Sequence, residues 1–275
     1  MTTAPLPTIE RRNHGTGHSY RLDGEKAPGV TTILRMLPKE ALINWAATAT
    51  ADHAIDYWDE LSEMRLSERH KRLERAHFAV RDTAAKRGTQ VHRLAAQLAD
   101  GIEVAVPEEL EGHVDSYLDF LTRVEPDVVA VELVVGCRAP RFCGTTDLIA
   151  DLPDLTVGDE VIPACRWLLE LKTSRSGIFR ESALQTCAYS RADAYVVFDD
   201  LPGGVVRPMS GLGIDRCGAV HVRGDGWDFR PLDASDETWA YFGHLAWLYE
   251  REELTKWWVG QAADPPPLPR TLAVS

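Results

Sequence analysis

The chain has 275 residues, 44% of them hydrophobic and 26% charged, and a formal net charge of -12. At that length folding buries roughly three quarters of the unfolded surface, so one elaborated domain is expected, and no apolar run approaches the roughly 20 residues of a membrane span. Five widely spaced cysteines (Cys137, Cys143, Cys165, Cys187 and Cys217) with no C-x-x-C pair argue against a disulfide framework or a zinc finger and for buried free thiols.

Residues 1–17 are polar and rich in Pro and Gly, and a flexible arm is expected there. The opening Met1 to Pro7 lacks the basic start and apolar core of a signal peptide, so the cytosol is the expected compartment. One domain is expected over 18–260, with a helical elaboration at 18–84, a core at 85–200 and C-terminal strands and a helix at 201–260. His18 to Leu22 reads as a short strand and Asp23 to Lys26 as a turn. From Pro38 onward Leu42, Trp45, Ala46, Ala49, His53 and Tyr57 recur at helical spacing, which predicts a helical layer.

Ser67 to Asp100 is also helical in pattern, with a break expected at Arg87-Gly88 because Gly costs about 1 kcal/mol inside a helix. Between Arg65 and Arg93 nine Lys or Arg stand against three Asp or Glu, a basic stretch in an acidic protein. A solvated helix face explains it most simply. Pro107 opens an amphipathic helix that ends before Pro126. The period then shortens: Val128 to Val135, interrupted by Glu132, Arg141 to Leu152 and Arg166 to Lys172 read as consecutive strands with antiparallel neighbours. Ser176 to Ala192 reads as a helix and Tyr195 to Phe198 as a buried strand after it, a crossover that permits parallel pairing. Gly218 to Val222 and Trp227 to Leu232 suit a strand pair. A last helix from Ser235 to about Val259 places Trp239, Phe242, Leu245, Ala246 and Tyr249 in the core, and the Pro-rich tail 261–275 cannot continue it.

Within this frame, Glu170 and Lys172 are two apart on a strand, so they share one face while Leu169 and Leu171 take the other. For E-x-K alone a structural ion pair is the simpler reading. Asp147 changes that balance, because a hairpin between its strand and that of Glu170 brings two carboxylates within reach of one hard divalent cation. Such an ion neutralises charge on a scissile phosphate and acidifies an attacking water, while Lys172 can orient that water or offset developing charge. Gly144 permits a sharp bend or a close approach just ahead of Asp147. Gln185 and Tyr189, at i and i+4, share a helix face where they can hold a DNA phosphate or support Lys172.

Gly88-Thr89-x-x-His92, Gly144-x-x-Asp147, Glu170-x-Lys172 and Gln185-x-x-x-Tyr189, in that order, resemble the PD-(D/E)XK nuclease superfamily, specifically its RecB-like branch of phage recombination exonucleases and CRISPR-associated nucleases. The resemblance covers about residues 85 to 200, and Val30 to Leu34 followed by Pro38 and Trp45 is similar to the start of phage-type members. It implies an α/β fold, a restriction-endonuclease-like core with a central mixed β-sheet flanked by helices, here with an N-terminal helical region. It also implies His92, Asp147, Glu170 and the backbone carbonyl of Leu171 as metal ligands, with Glu132 as a further candidate, and Lys172 as the catalytic lysine. Gln185, Tyr189, Lys86, Arg87 and Arg93 are the expected DNA-binding or supporting residues.

The implied activity is a Mg²⁺- or Mn²⁺-dependent deoxyribonuclease, an exonuclease working at DNA ends in phage or bacterial recombination, repair or replication. A structure-specific or nicking endonuclease and a non-catalytic DNA-binding protein on a nuclease scaffold are the alternatives. DNA is the expected partner, with a recombinase or single-strand annealing protein suggested by analogy and no membrane. Cluster-bearing members place one cysteine before the core and three grouped after it; here none precedes Cys137 and only Cys217 follows the core helix, so no iron-sulfur cluster is expected.

Overall fold

A computed structural model of the chain describes residues 5–15, 17–175, 177–198, 204–255 and 258–260; the Pro-rich tail 261–275 lies outside them. The architecture is mixed α/β, and strict alternation of side chains along its central sheet sets the layers. Three strands come first, β1 (Ile9–His14), β2 (Gly17–Leu22) and β3 (Glu25–Ala27), in an antiparallel meander. β1 takes up residues 9–14 of the segment expected as a flexible arm. It is held because Ile9 and Leu22 share a small core with Val134 and Cys143, and because Arg138 grips Asp23 through two nitrogens at 2.7 and 2.9 Å.

The helices α1 (Val30–Ile33), α2 (Glu40–Asp56), α3 (Trp58–Glu63) and α4 (Leu66–Ala99) follow. Of residues 40–84 only Leu61 and Ala76 are buried, so α2, α3 and the first half of α4 form an arm outside the core. The helical periodicity of α2 is real, but Leu42, Trp45 and Tyr57 are exposed on it or at its end and build no inner layer. α4 is continuous, against the expected break at Arg87-Gly88. Packing of Val91, Leu94 and Ala95 in the core offsets the glycine's cost of about 1 kcal/mol, and Gly88 is where the helix passes close to Thr173, whose Oγ1 would lie 3.2 Å from any Cβ.

After α5 (Glu111–Val124) comes one long hairpin broken at the same level in both arms. Its arms are β4 (Asp127–Val131) with β5 (Val134–Arg138), and β6 (Arg141–Thr145) with β7 (Leu148–Leu152). Val128 to Val135 and Arg141 to Leu152 are thus each two strands. β4 pairs with β7 in the central sheet and β5 with β6 in a second one. A ribbon of β8 (Leu155–Val157) and β9 (Glu160–Ile162) leads into β10 (Cys165–Lys172), then α6 (Arg180–Ser190), β11 (Ala194–Val197), β12 (Val205–Pro208), β13 (Arg216–Arg223), β14 (Gly226–Leu232) and α7 (Asp236–Thr255).

The central sheet runs β14-β13-β10-β7-β4, mixed because β10 and β13 are parallel and the other pairs antiparallel. β11, the strand after the helical crossover, pairs antiparallel with β5 and β12 in the second sheet. The parallel partner of β10 is therefore β13, one strand pair later. Along β10 the side chains part cleanly. Trp167, Leu169 and Leu171 join the core under α4 and α5 with Val91, Val114 and Phe120. Leu168 joins the core under α6 and α7 with Leu184, Tyr189, Phe242 and Leu245. Among the described residues no helix is long and apolar enough to cross a membrane.

Phe142 is fully buried, with edge-on contacts to Phe242 at 5.3 Å and Trp239 at 6.3 Å between ring centroids. Phe142→Ala is expected to cost about 3–5 kcal/mol in urea unfolding. Ile55→Ser on the exposed arm is expected to stay within about 0.5 kcal/mol of the parent, which makes the pair a direct check on where the core lies.

Candidate metal centre

β10 outlasts one of its neighbours. β7 pairs with it only as far as Leu148 opposite Leu169, while β13 accompanies it on the other edge to His221 opposite Lys172. The free N–H of Leu171 donates to Asp147 Oδ2 at 2.7 Å. Because N–H and C=O of one strand residue point to the same edge, the Leu171 carbonyl also faces this opening.

Asp147 is aimed there by the break in the hairpin. Glu132 adopts a left-handed φ of 51° and donates its N–H to the Asp147 carbonyl at 3.1 Å, while Thr146 N–H donates to the Leu133 carbonyl at 2.9 Å. These two bonds keep the arms together across a step where neither is a strand. From the α4 side the anchored Val91 and Leu94 present His92, whose Nδ1 lies 3.2 Å from Asp147 Oδ1. One donor atom each from His92, Glu132 and Asp147 fall within 4.8 Å of one another. They border a cavity of about 20 Å³, room for roughly one water, closed otherwise by Tyr117, Leu148 and Leu171.

The remaining residues reach the opening from the α6 side. Glu170 Oε1 accepts from Lys172 Nζ at 2.8 Å and from Gln185 Nε2 at 2.8 Å; Gln185 Oε1 in turn accepts from Lys172 Nζ at 3.3 Å. Gln185 Nε2 also donates to the Tyr189 hydroxyl at 3.2 Å. Both Gln185 and Tyr189 are buried, which a surface Gln beside a half-buried Tyr would not be. Gly144 lies flat against the Tyr189 ring: a methyl group there would overlap it. The close approach permitted by Gly144 is thus made to an aromatic ring from α6.

Burial and the Asp147 charge push Glu170 up to about 7, with Lys172 only partly offsetting them. Burial opposes the imidazolium of His92, but the facing Asp147 carboxylate outweighs it and raises the pKa to about 9. Asp147 itself resists burial through His92 and the Leu171 N–H and stays below the usual carboxylate range. Glu132 is raised, by burial first and the Asp147 charge second. Burial lowers Lys172, yet Glu170 more than compensates and keeps it charged.

The donor set of one imidazole and carboxylate oxygens fits a hard divalent cation, Mn²⁺ as readily as Mg²⁺. His92, Asp147 and Glu132 would hold it. Glu170, also expected among the ligands, has Oε1 committed to Lys172 and Gln185, while its Oε2 is buried without a partner among the described residues. An orphaned carboxylate oxygen of this kind is costly unless something positive meets it.

The structure does not bring Lys86, Arg87 and Arg93 into these contacts. Lys86 and Arg93 are exposed on α4, and Arg87 carries a buried Nε with no partner. Arg69 and Arg72 of the basic stretch fasten the arm, Arg72 gripping Glu60 at 2.5 and 2.9 Å and Arg69 bonding the Ser62 and Met64 carbonyls. Lys71, Arg75, Lys86 and Arg93 make no ion pair among the described residues, and their spacings of 4, 11 and 7 residues align them along one side of α4.

Two contacts of the site had no counterpart in the sequence reading. Arg11 of β1 lies 3.5 Å from Glu132 Oε2, and His221 of β13 donates Nε2–H to the Ser174 carbonyl at 2.7 Å, fastening the loop after Lys172. Parallel pairing with Lys172 would have flagged His221; nothing in Ile9–His14, which lacks alternation, flags Arg11. The chain matches no protein-family model, and no curated protein is significantly similar to it.

Gly144→Ala is expected to displace the Tyr189 ring and cost about 1–3 kcal/mol, read as a lowered melting temperature with loss of the Gln185–Tyr189 bond. Glu170 has a folded pKa above its unfolded value, so the stability it contributes is present below about 4.5 and lost as pH rises through about 7; for His92 the loss comes as pH rises through about 9. In EDTA, Glu170→Gln should therefore match the parent near pH 4.5 and exceed it at pH 8 by on the order of 1–3 kcal/mol. Destabilisation at pH 8 would instead give the ionised carboxylate a net structural role.

Proposed function

We propose that the chain is a Mg²⁺- or Mn²⁺-dependent deoxyribonuclease acting at DNA ends. The observation that carries this reading is the convergence of His92, Glu132 and Asp147 with the Glu170, Lys172 and Gln185 network at the unpaired end of β10. Four patterns scattered between residues 88 and 189 meet there, one from α4, one from the break in the long hairpin, one from β10 and one from α6. The order β4-β7-β10-β13-β14 and the succession of helix, strands, helix and strand support a restriction-endonuclease-like core. The preference for ends follows from the resemblance to RecB-like exonucleases.

His92, Asp147 and Glu132 would hold a divalent cation, which when bound would neutralise charge at a phosphodiester and acidify a water. The chain's own residues supply the rest. Lys172, gripped by Glu170 and Gln185, presents a fixed ammonium that can orient water or meet charge building on the phosphoryl oxygens. Tyr189 holds Gln185, and Leu171 N–H holds Asp147, so both groups are set before substrate arrives. In this reading a water oxygen bonds to phosphorus as the P–O bond to the leaving nucleotide breaks, a proton of that water passes through solvent to the leaving oxygen, and no covalent enzyme intermediate forms.

End-labelled linear DNA should be degraded in Mg²⁺ or Mn²⁺ and spared in EDTA, with closed circular DNA resistant throughout. Lys172→Ala should slow the reaction by roughly 100-fold or more while leaving the melting temperature within a few degrees. Equal degradation by both proteins would reject the site, and rapid nicking of the circle would replace the exonuclease assignment with an endonuclease.

A further inference from the structure

We infer that Arg11 is a DNA-phosphate-binding residue on the rim of this site, delivered by the N-terminal sheet; the inference rests on the nuclease reading. Arg11 stands opposite Tyr20 in the β1–β2 register, and the Tyr20 hydroxyl is within 2.8 Å of Thr145 Oγ1, the last residue of β6 before the break that aims Asp147. The backbone of Arg11 is thereby fixed beside the metal group. Its guanidinium, however, is poorly used. Nη1 lies 3.5 Å from a single oxygen of Glu132, and Nε is buried with no partner.

The same protein shows what a fastening arginine looks like. Arg138 meets Asp23 at 2.7 and 2.9 Å, and Arg166 meets Asp151 with two bonds of 2.8 Å. Both are bidentate, the geometry that makes an Arg–carboxylate pair strong. Among the described residues Arg11 instead makes no bidentate pair and touches Glu132, one of the three residues fitted to a cation, through a single nitrogen. Were Glu132 to bind a metal, the guanidinium would give up the one carboxylate contact it has among the described residues.

A phosphate diester matches that vacancy in charge and in planar two-point hydrogen bonding. The site needs such a group. Asp147, Glu132 and Glu170 repel a polyanion, and Lys172 is already engaged by Glu170 and Gln185. A cation on the β1 side would grip the strand opposite Lys172 and hold it against the cluster.

The test compares the full-length protein with Arg11→Ala and Arg11→Lys. Binding of a fluorescent DNA duplex with a single-stranded end is measured by anisotropy in Ca²⁺ over a salt series, and Mn²⁺ binding without DNA by calorimetry. Arg11→Ala should weaken DNA binding about tenfold and reduce the salt slope by about one, with Arg11→Lys recovering part of the loss. Mn²⁺ affinity and melting temperature should stay at the parent values. Parental DNA affinity in Arg11→Ala would overturn the inference. So would a parallel loss of Mn²⁺ binding or stability in both variants, which would make Arg11 a brace for Glu132. A parent protein that neither binds nor cleaves DNA would remove the nuclease reading itself, a result distinct from either of these.

Discussion

The break shared by the two arms of the long hairpin, at Glu132-Leu133 and Thr146-Asp147, is the constraint on which the site depends. A straight hairpin would carry Asp147 along the edge of β10 as one more alternating residue. The break turns β5 and β6 into a separate sheet and leaves Asp147 at the corner, where the free N–H of Leu171 can meet it. Two backbone bonds cross the step, pairing the Glu132 and Thr146 N–H groups with the Asp147 and Leu133 carbonyls. The left-handed φ of Glu132 costs roughly 1–2 kcal/mol and is imposed by those bonds together with the β4–β7 and β5–β6 pairing on either side.

Around that corner the protein has gathered three carboxylates and only one well-engaged lysine. Elsewhere carboxylates such as Asp23 and Asp151 are paired bidentately with arginines. Here burial drives Glu170 towards neutrality, and its second oxygen has no partner. Asp147 faces His92, Glu170 faces Lys172 and Glu132 faces Arg11, so the charges are met only in close pairs at partly buried positions, and perturbed groups of this kind concentrate where chemistry is done. The Glu170–Lys172–Gln185–Tyr189 chain limits the cost, because each member satisfies the next from a well-packed helix face.

Much of the site was legible because its parts obey simple periods. Glu170 and Lys172 fall on one face of β10 and Leu169 and Leu171 on the other, a consequence of the two-residue repeat alone. Gln185 and Tyr189 meet because four residues make about one helical turn. What escaped depends on tertiary contact. Glu132 interrupts an apolar run, which locates an irregularity without revealing that the opposite arm breaks at the same level. Gly88 looks like a helix breaker until Thr173 is found packed against it. β11 has a clear strand sequence, but composition does not say whether it joins β10 or β5. The charged sequence of β1 hides a strand whose order comes from the Arg138–Asp23 pair and the buried Ile9.

The net charge of -12 does not by itself describe what a phosphate approaching α4 would meet. At physiological salt the screening length is about 8 Å, so an approaching phosphate senses the charges within a turn or two of helix and little of the total. Arg69 and Arg72 contribute little to that field because their guanidinium groups are spent on the arm itself. Of the others, Lys71, Arg75, Lys86 and Arg93 are aligned on one side of a single unbroken helix that also presents His92. Continuity of α4 through Gly88 therefore matters twice: it keeps those four cations in one row, and it fixes that row relative to the cluster of His92, Glu132 and Asp147. A helix broken at Gly88 would carry the same composition and the same net charge, yet the basic row would no longer hold a defined direction with respect to the site.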